Sequence, residues 1–306
     1  MPKTLVVLTG PTGIGKTKLG IEIATHFCTE IVSGDSRQIF KEMSIGTAVP
    51  SSEELQQVPH HLIQSHSIRE NYNASRYETE ALEIIGRLFQ QHDVTLLVGG
   101  SMLYIDAVCR GIDYMPDADP EIRQSLKLQL ETEGIESLRL QLKQLDPAYY
   151  QSVDLRNPAR IVHALEICLM TGKPYSSFRT NPQKKRPFQI LKIGLNTDRE
   201  ILHQRINSRV DQMLTSGLID EARALYPLKH LNALNTVGYR ELFNWMDGNI
   251  SQEKAIELIK RNSRRYARKQ ITWFRRDSEM QWFAPNETEP IIRHIEQQIG
   301  HKTERQ

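Results

Sequence analysis

Gly10-Pro11-Thr12-Gly13-Ile14-Gly15-Lys16-Thr17 fits the pattern G-x-x-x-x-G-K-[ST], directly after an apolar run from Thr4 to Thr9 and directly before a stretch of helical periodicity. Glycines so spaced let backbone N–H groups converge on phosphate oxygens, and the amino end of a helix adds partial positive charge. Lys16 would neutralise the anion, and the Thr17 hydroxyl is placed to bind Mg²⁺. Most such loops bind ATP or GTP, and in many NTPases an Asp closing a later strand holds the metal. Here the later strand, residues 94–98, runs into Gly99-Gly100-Ser101 with no acid. The first carboxylate at a strand end is Asp35, in Gly34-Asp35-Ser36-Arg37-Gln38. An acid there could hold metal, cap a helix or serve as a general base.

Arg205 and Arg209 lie four apart in a helical stretch, hence on one face. Two guanidinium forks suit a diphosphate leaving group, but residue types alone favour a solvated face pairing with Glu200 or Asp211. The segment from Lys260 to Arg276 carries eight basic residues and no acid. Arg261, Arg264 or Arg265, and Arg268 follow helical spacing, which points to a stripe for nucleic-acid phosphates. His60, His61 and His66 do not read as a metal cluster, because adjacent strand residues face opposite ways. Trp245, Trp273 and Trp282 are expected in the core.

These residues need elements to hold them. Thr4–Thr9, Glu30–Ser33 and Thr95–Val98 are short, almost wholly apolar runs that end at glycines, as strands buried on both faces do. Helical stretches over Lys16–Phe27 and Ala74–Gln91 alternate with them. The expected fold is α/β, a doubly wound parallel sheet with its functional loops at the carboxyl ends of the strands. After the proline-rich hinge Met115–Pro120, Leu126, Leu130, Leu138, Leu142 and Leu145 suggest amphipathic helices. Asn157 as N-cap, Pro158 at the first helical position and Gly172 past the end punctuate another. Gln189–Leu195 reads as a strand again. A capping box of Thr197 and Glu200 should open a helix that Gly217 ends near Ser216. The expected domains are a core over 1–118, a helical insertion over 119–187 and a resumed core with carboxyl-terminal helices over 188–306, the tail after Pro285 being polar.

Length and composition agree with an enzyme-sized globular chain: 306 residues, 39% hydrophobic, 25% charged, net charge +2. No apolar run approaches the roughly 20 residues of a membrane helix, and the start lacks a signal-peptide pattern, so a cytoplasmic protein is expected. Cys28, Cys109 and Cys168 are too scattered for a disulfide framework or a cysteine zinc site.

GPTGIGKT, DSRQIFKEMSIGTAVP (35–50), VPHHLI (58–63), VGGSMLY (98–104), HALE (163–166), TVGYRE (236–241) and RRYARKQITWFRR (264–276) follow one another in an order that resembles the tRNA dimethylallyltransferases of bacterial type, over nearly the whole chain. That resemblance implies transfer of a dimethylallyl group from dimethylallyl diphosphate to N6 of the adenine just 3′ of the anticodon, in tRNAs that read codons beginning with U. It implies a monomer that uses Mg²⁺ and grips the anticodon stem-loop with the helical insertion. Asp35 would accept the N6 proton or orient the amine. Thr17 and Arg209, with Lys16, would stabilise the departing diphosphate in the 10–17 loop. Ser36, Arg37 and Gln38 would line the adenine pocket. Contacts to tRNA would come from Ser101, Arg123, Ala159, Arg160, His163, Gly238, Arg240, Arg261 and Arg265. The chain departs from the family pattern at Ala159 and His163 (a Gln and an Arg), at Phe40 (a Tyr), at Ser101 (a Thr) and at Gly13-Ile14 (Ala-Ser). Two other readings fit parts of the sequence. A P-loop kinase of a small metabolite or nucleotide explains Lys16 and Asp35 but not the basic stretch. An RNA-binding module without turnover explains the basic stretch and leaves Asp35 and Arg209 idle.

Overall fold

The computed structural model describes residues 2–113, 115–116, 119–180 and 183–300, so Asp117 and Ala118 of the expected hinge lie outside the described residues. The first half of the core runs β1 (Thr4–Thr9), α1 (Lys16–His26), β2 (Ile31–Ser33), α2 (Ser52–Gln57), β3 (His60–His61), α3 (Ala74–Leu88), β4 (Val94–Gly99) and α4 (Met102–Arg110). Four helices follow: α5 (Pro120–Glu133), α6 (Ile135–Leu145), α7 (Pro147–Ser152) and α8 (Pro158–Thr171). The chain then returns through β5 (Gln189–Leu195), α9 (Arg199–Thr215), α10 (Leu218–Leu225), α11 (Tyr239–Met246), α12 (Gln252–Phe274), β6 (Gln281–Phe283) and α13 (Thr288–Gly300).

All strand pairs are parallel, in the order β3-β2-β4-β1-β5-β6. Successive residues of β1 feed opposite faces of the sheet. Leu5 and Val7 join one hydrophobic cluster, Val6 and Leu8 the other, and helices must therefore cover both sides. This is the doubly wound α/β arrangement expected. At the carboxyl ends of β2 and β4 the backbones nearly touch, and a Cβ on Gly99 would collide with the Gly34 carbonyl. That close approach brings the loops carrying Asp35 and Ser101 side by side.

Two compact units result, one of residues 1–109 with 185–306, the other of 110–184. The helical unit thus spans 110–184, against the 119–187 expected. Its neck closes where the Lys184 N–H donates to the Arg110 carbonyl at 2.9 Å. Its core is Leu126, Leu138, Leu142, Tyr149, Ile161 and Leu165, whereas Leu145 is exposed. Helix α8 is punctuated as the sequence predicts, with the Asn157 side chain accepting from the Arg160 N–H and Gly172 left-handed at φ 66°.

Three expectations need correction. The cap of α9 is Asp198, whose carboxylate accepts from the Glu200 N–H, in place of Thr197. An anionic acceptor one residue nearer the helix meets its positive end better than a hydroxyl. β3 falls on the His60-His61 pair weighed above as strand residues, but β6 was not foreseen, being too short for a periodic signal. The tail is α13, amphipathic, with Ile291, Ile292, Ile295 and Ile299 buried against the second cluster.

Candidate active site

The loop after β1 enters α1 through Gly15, whose left-handed φ of 106° a side chain would strain. The helix-start amides beyond it have no acceptor within the helix, so they converge on whatever the loop encloses. Lys16 folds over its own loop, donating to the Gly10 and Pro11 carbonyls at 3.0 and 2.9 Å. Desolvation, reinforced by the Arg209 charge and partly offset by Asp35, lowers its ammonium to about 8. Arg209, itself half-buried and lowered by desolvation, reaches the Thr12 hydroxyl at 3.2 Å. Arg205 reaches the Ile14 carbonyl at 3.3 Å. Arg209 therefore turns into the loop's cavity, while Arg205 stays on the exposed face that residue types alone favoured and touches the loop only at Ile14. Asp211, the expected partner, pairs with Lys260 instead.

Asp35 spends one carboxylate oxygen on its own turn. Oδ1 accepts from the Arg37 N–H at 2.8 Å and the Gln38 N–H at 3.3 Å, which leaves Oδ2 for a ligand. Both the capping and the chemical readings of this residue are thus open at once. It lines two cavities. The smaller, about 100 Å³, is bounded by Thr12, Lys16, Thr17, Gln38, Arg209 and, at its apolar end, Ile31, Ile63 and Val98. The larger, about 750 Å³, is bounded by Ser36, Arg37, Arg240, Arg265, Arg268 and Lys269 among others. Thr12, Asp35, Thr47 and Tyr266 belong to both.

The remaining expected residues divide. Arg37 donates to the Asn232 and Ala233 carbonyls, and Gln38 turns away from Ser36 and Arg37 to face the smaller cavity, its Nε2 donating to the Thr47 and Ala48 carbonyls. Ser101 is buried; its hydroxyl accepts from the Ser36 N–H at 2.7 Å, donates to the Ser36 hydroxyl and also bonds the Tyr266 phenol, so it meets the larger cavity through Ser36 and Tyr266. Gly238, buried at φ 103°, opens α11 with its N–H on Glu241, beside the exposed Arg240. Arg261 lies on the flank of α12 in a groove with Arg199, His203, Arg264 and Arg275, and Arg265 touches both that groove and the larger cavity. Within the helical unit, Arg123 pairs with the buried Glu166 at 2.7 Å, His163 stands 3.6 Å from the same carboxylate, and Ala159 and Arg160 are exposed.

Two residues went unnoticed in the sequence. Gln270, buried in α12, accepts from the Thr12 N–H at 2.9 Å and donates to the Gly100 carbonyl at 2.8 Å, tying the phosphate loop to the end of β4. Tyr266 stands between the cavities, its phenol pushed by burial up to about 12. The only signal for either was their place in the basic block. The tryptophans pack on the core as expected, Trp273 donating to Asp106 at 2.9 Å. Phe40 is core as well. His61 pairs with Glu30 and His66 with Glu80, and among the described residues no group of His, Cys, Asp or Glu could hold a metal by itself. A cation in the smaller cavity would meet oxygen donors, Thr17 and Asp35, which fits Mg²⁺ completed by phosphate and water.

The family model described as IPP transferase matches residues 38–277. The chain belongs to the IPP transferase family. Among the relatives of this family member, tRNA dimethylallyltransferase 1 of Bacteroides fragilis is 53% identical, covering 97% of this chain and 99% of its own. The enzyme of the same name from Bacteroides thetaiotaomicron is 54% identical over 95% of each chain. Among solved structures, the tRNA isopentenylpyrophosphate transferase of Bacillus halodurans matches with a TM-score of 0.70 at 35% identity, over 99% of this chain and 97% of its own. A eukaryotic dimethylallyltransferase acting on tRNA matches with a TM-score of 0.74 at 25% identity, over 93% and 74%.

Proposed function

We propose that this family member transfers a dimethylallyl group from dimethylallyl diphosphate to N6 of the adenine 3′ of the anticodon in tRNAs reading U-starting codons. The observation that carries the reading is the place of Asp35, with its free Oδ2, at the junction of a phosphate-sized cavity and a wide basic one. The diphosphate fits the smaller cavity, its charge met by Lys16, Arg209 and the loop amides, and its prenyl tail faces Ile31, Ile63 and Val98. The adenine enters from the larger cavity, extruded from the anticodon loop at a cost of a few kcal/mol. N6 attacks the allylic C1, the C1–O bond breaks, diphosphate leaves, and the N6 proton passes to Asp35. Thr17 would hold Mg²⁺, which when bound would supply charge neutralisation to the leaving group. Arg240, Arg265, Arg268 and Lys269 face the RNA backbone at the rim. Arg123, Ala159, Arg160 and His163 are the proposed tRNA contacts of the helical unit, and no described helix is long and apolar enough to cross a bilayer. We also place the enzyme in the cytoplasm, as a monomer.

The kinase alternative finds no support in the family model or the relatives named above, which are called IPP transferase, tRNA dimethylallyltransferase or tRNA isopentenylpyrophosphate transferase. The test is incubation with Mg²⁺, dimethylallyl diphosphate and unmodified tRNA, then nuclease digestion and mass spectrometry. An adenosine heavier by one C5H8 unit, formed without ATP, is the expected product. Its absence across a panel of tRNAs, with ATP consumed on addition of small acceptors, would overturn the reading.

A further inference from the structure

The Ile45–Ala48 turn and Tyr239 have so far been given no chemical task. They meet at Glu221 of α10. Glu221 Oε2 accepts from the Ser44 and Ile45 N–H groups at 2.9 and 2.8 Å, and Oε1 accepts from the Gly46 N–H at 2.9 Å and the Tyr239 hydroxyl at 2.6 Å. Three consecutive amides around one anion form a nest, here filled by the chain's own carboxylate. Tyr239 is fully buried and its ring lies against Gly46, where an added Cβ would come within 2.6 Å of it. The turn so pinned is strained: Ala48 is left-handed at φ 50°, with its N–H on the Ile45 carbonyl. Its output is a pair of carbonyls. Thr47 O and Ala48 O accept from Gln38 Nε2 at 3.1 and 2.8 Å, and Ala48 O lies 3.5 Å from Arg209 Nη2.

We propose that Glu221, clamped by Tyr239, is a positioning residue for transfer, acting through the turn to set the Gln38 amide and the Arg209 guanidinium beside the diphosphate. Side chain and substrate never touch; the carboxylate fixes the amides, the amides fix the carbonyls, and the carbonyls fix the two donors. A charged acceptor suits the task because three amides and a phenol cannot all be met by a neutral amide, which would present an NH₂ to at least one donor. The inference rests on the function proposed above, and inorganic diphosphate binding serves as a readout that needs no turnover.

The experiment compares Glu221→Gln, Glu221→Asp and Tyr239→Phe with Arg209→Ala and the double variant Glu221→Gln/Arg209→Ala. Transfer kinetics and calorimetric binding of Mg-diphosphate are measured on protein shown folded by circular dichroism. Glu221→Gln is expected to lower kcat roughly 10- to 100-fold and weaken diphosphate several-fold, Glu221→Asp to recover part of both, and Tyr239→Phe to lose about 3- to 10-fold in kcat, estimates on the scale of one to two charge-assisted hydrogen bonds. On the Arg209→Ala background the Glu221 change should cost little more, because the two act through one element. Wild-type kcat and diphosphate affinity in folded Glu221→Gln would overturn the proposal, as would full multiplication of the two losses in the double variant. If Glu221→Gln does not fold, Tyr239→Phe decides: unchanged kcat and diphosphate affinity overturn the proposal. A wild type that binds diphosphate but transfers nothing to tRNA sinks the function reading and leaves the positioning claim to the binding data.

Discussion

The two cavities that share Asp35 are built on opposite plans. The smaller sets the 12–17 loop and helix start against the ends of β2 and β4, and its cations are half-buried and already engaged, Lys16 on carbonyls and Arg209 on Thr12, with the neutral Gln270 holding the Thr12 N–H. The larger is assembled from Thr12 and residues 35–37, 46–47, 235–240 and 262–269, and apart from the half-buried Arg37 its cations, Arg240, Arg265, Arg268 and Lys269, are exposed. Desolvated, preorganised charge is strong and exacting, whereas hydrated charge at a rim is weak one by one and tolerant of shape. The difference matches a step that must place one leaving group exactly where donors already point, beside a surface that must follow a long and bending polyanion.

Changes on the two sides should therefore fail differently. At the junction, Asp35→Ala is expected to lower kcat by about 10²–10⁴-fold, the usual range for a lost general base, while diphosphate binding measured by calorimetry stays near wild type. Unchanged turnover would remove Asp35 from the chemistry. On the closed side, Gln270→Leu strands the half-buried Thr12 N–H and the buried Gly100 carbonyl. About 2 kcal/mol of stability should be lost, read by urea denaturation; a shift within error would mean that the loop holds its shape alone.

Lys16 gives the closed side a pH signature. With its pKa lowered to about 8 in the free protein, it is charged below that pH and neutral above, and a bound diphosphate raises it again. Diphosphate affinity should be flat below about pH 8 and fall toward tenfold per unit above it, with close to one proton taken up on binding. Calorimetry in buffers of different ionisation enthalpy near pH 9 measures this, and zero uptake would contradict it. The smallest effect belongs to the open side. Arg265→Ala should weaken tRNA a few-fold, evenly across sequences, and reduce the slope of log affinity against log salt by about 1. A large, sequence-selective loss would show that the rim reads bases after all.

The closed side was also the legible one. A contiguous motif between a strand and a helix carries its own geometry, so Gly10–Thr17 and the parallel sheet could be read from residue order. Arg209 could not be placed by its type, since nothing local distinguishes it from a solvated arginine; β5 fixes where α9 starts, and that fixes where Arg209 points. Gln270 and Glu221 were invisible for the same reason. Their partners are backbone groups of turns 258 and about 176 residues away in sequence, and a backbone amide leaves no mark in the residue types. Ser101 shows a residue placed by its position in the chain whose partners the chain could not name: its hydroxyl meets Ser36 and Tyr266, two residues of the larger cavity's wall.

The order of strands also governs how the chain is made. β1 lies between β4 and β5, with Thr4 opposite both Val94 and Gln189. A nascent chain can pair the first of these edges early, but the second stays open while all of residues 110–184 are synthesised, a delay on the order of ten seconds at ordinary elongation rates. Those intervening residues meet one another mostly through helices close in sequence, α5 with α6 and α8, and α6 with α7 and α8, contacts of the kind that form fast. The helical unit is thus also a spacer in time, during which a strand whose every residue ends up buried keeps one bare edge.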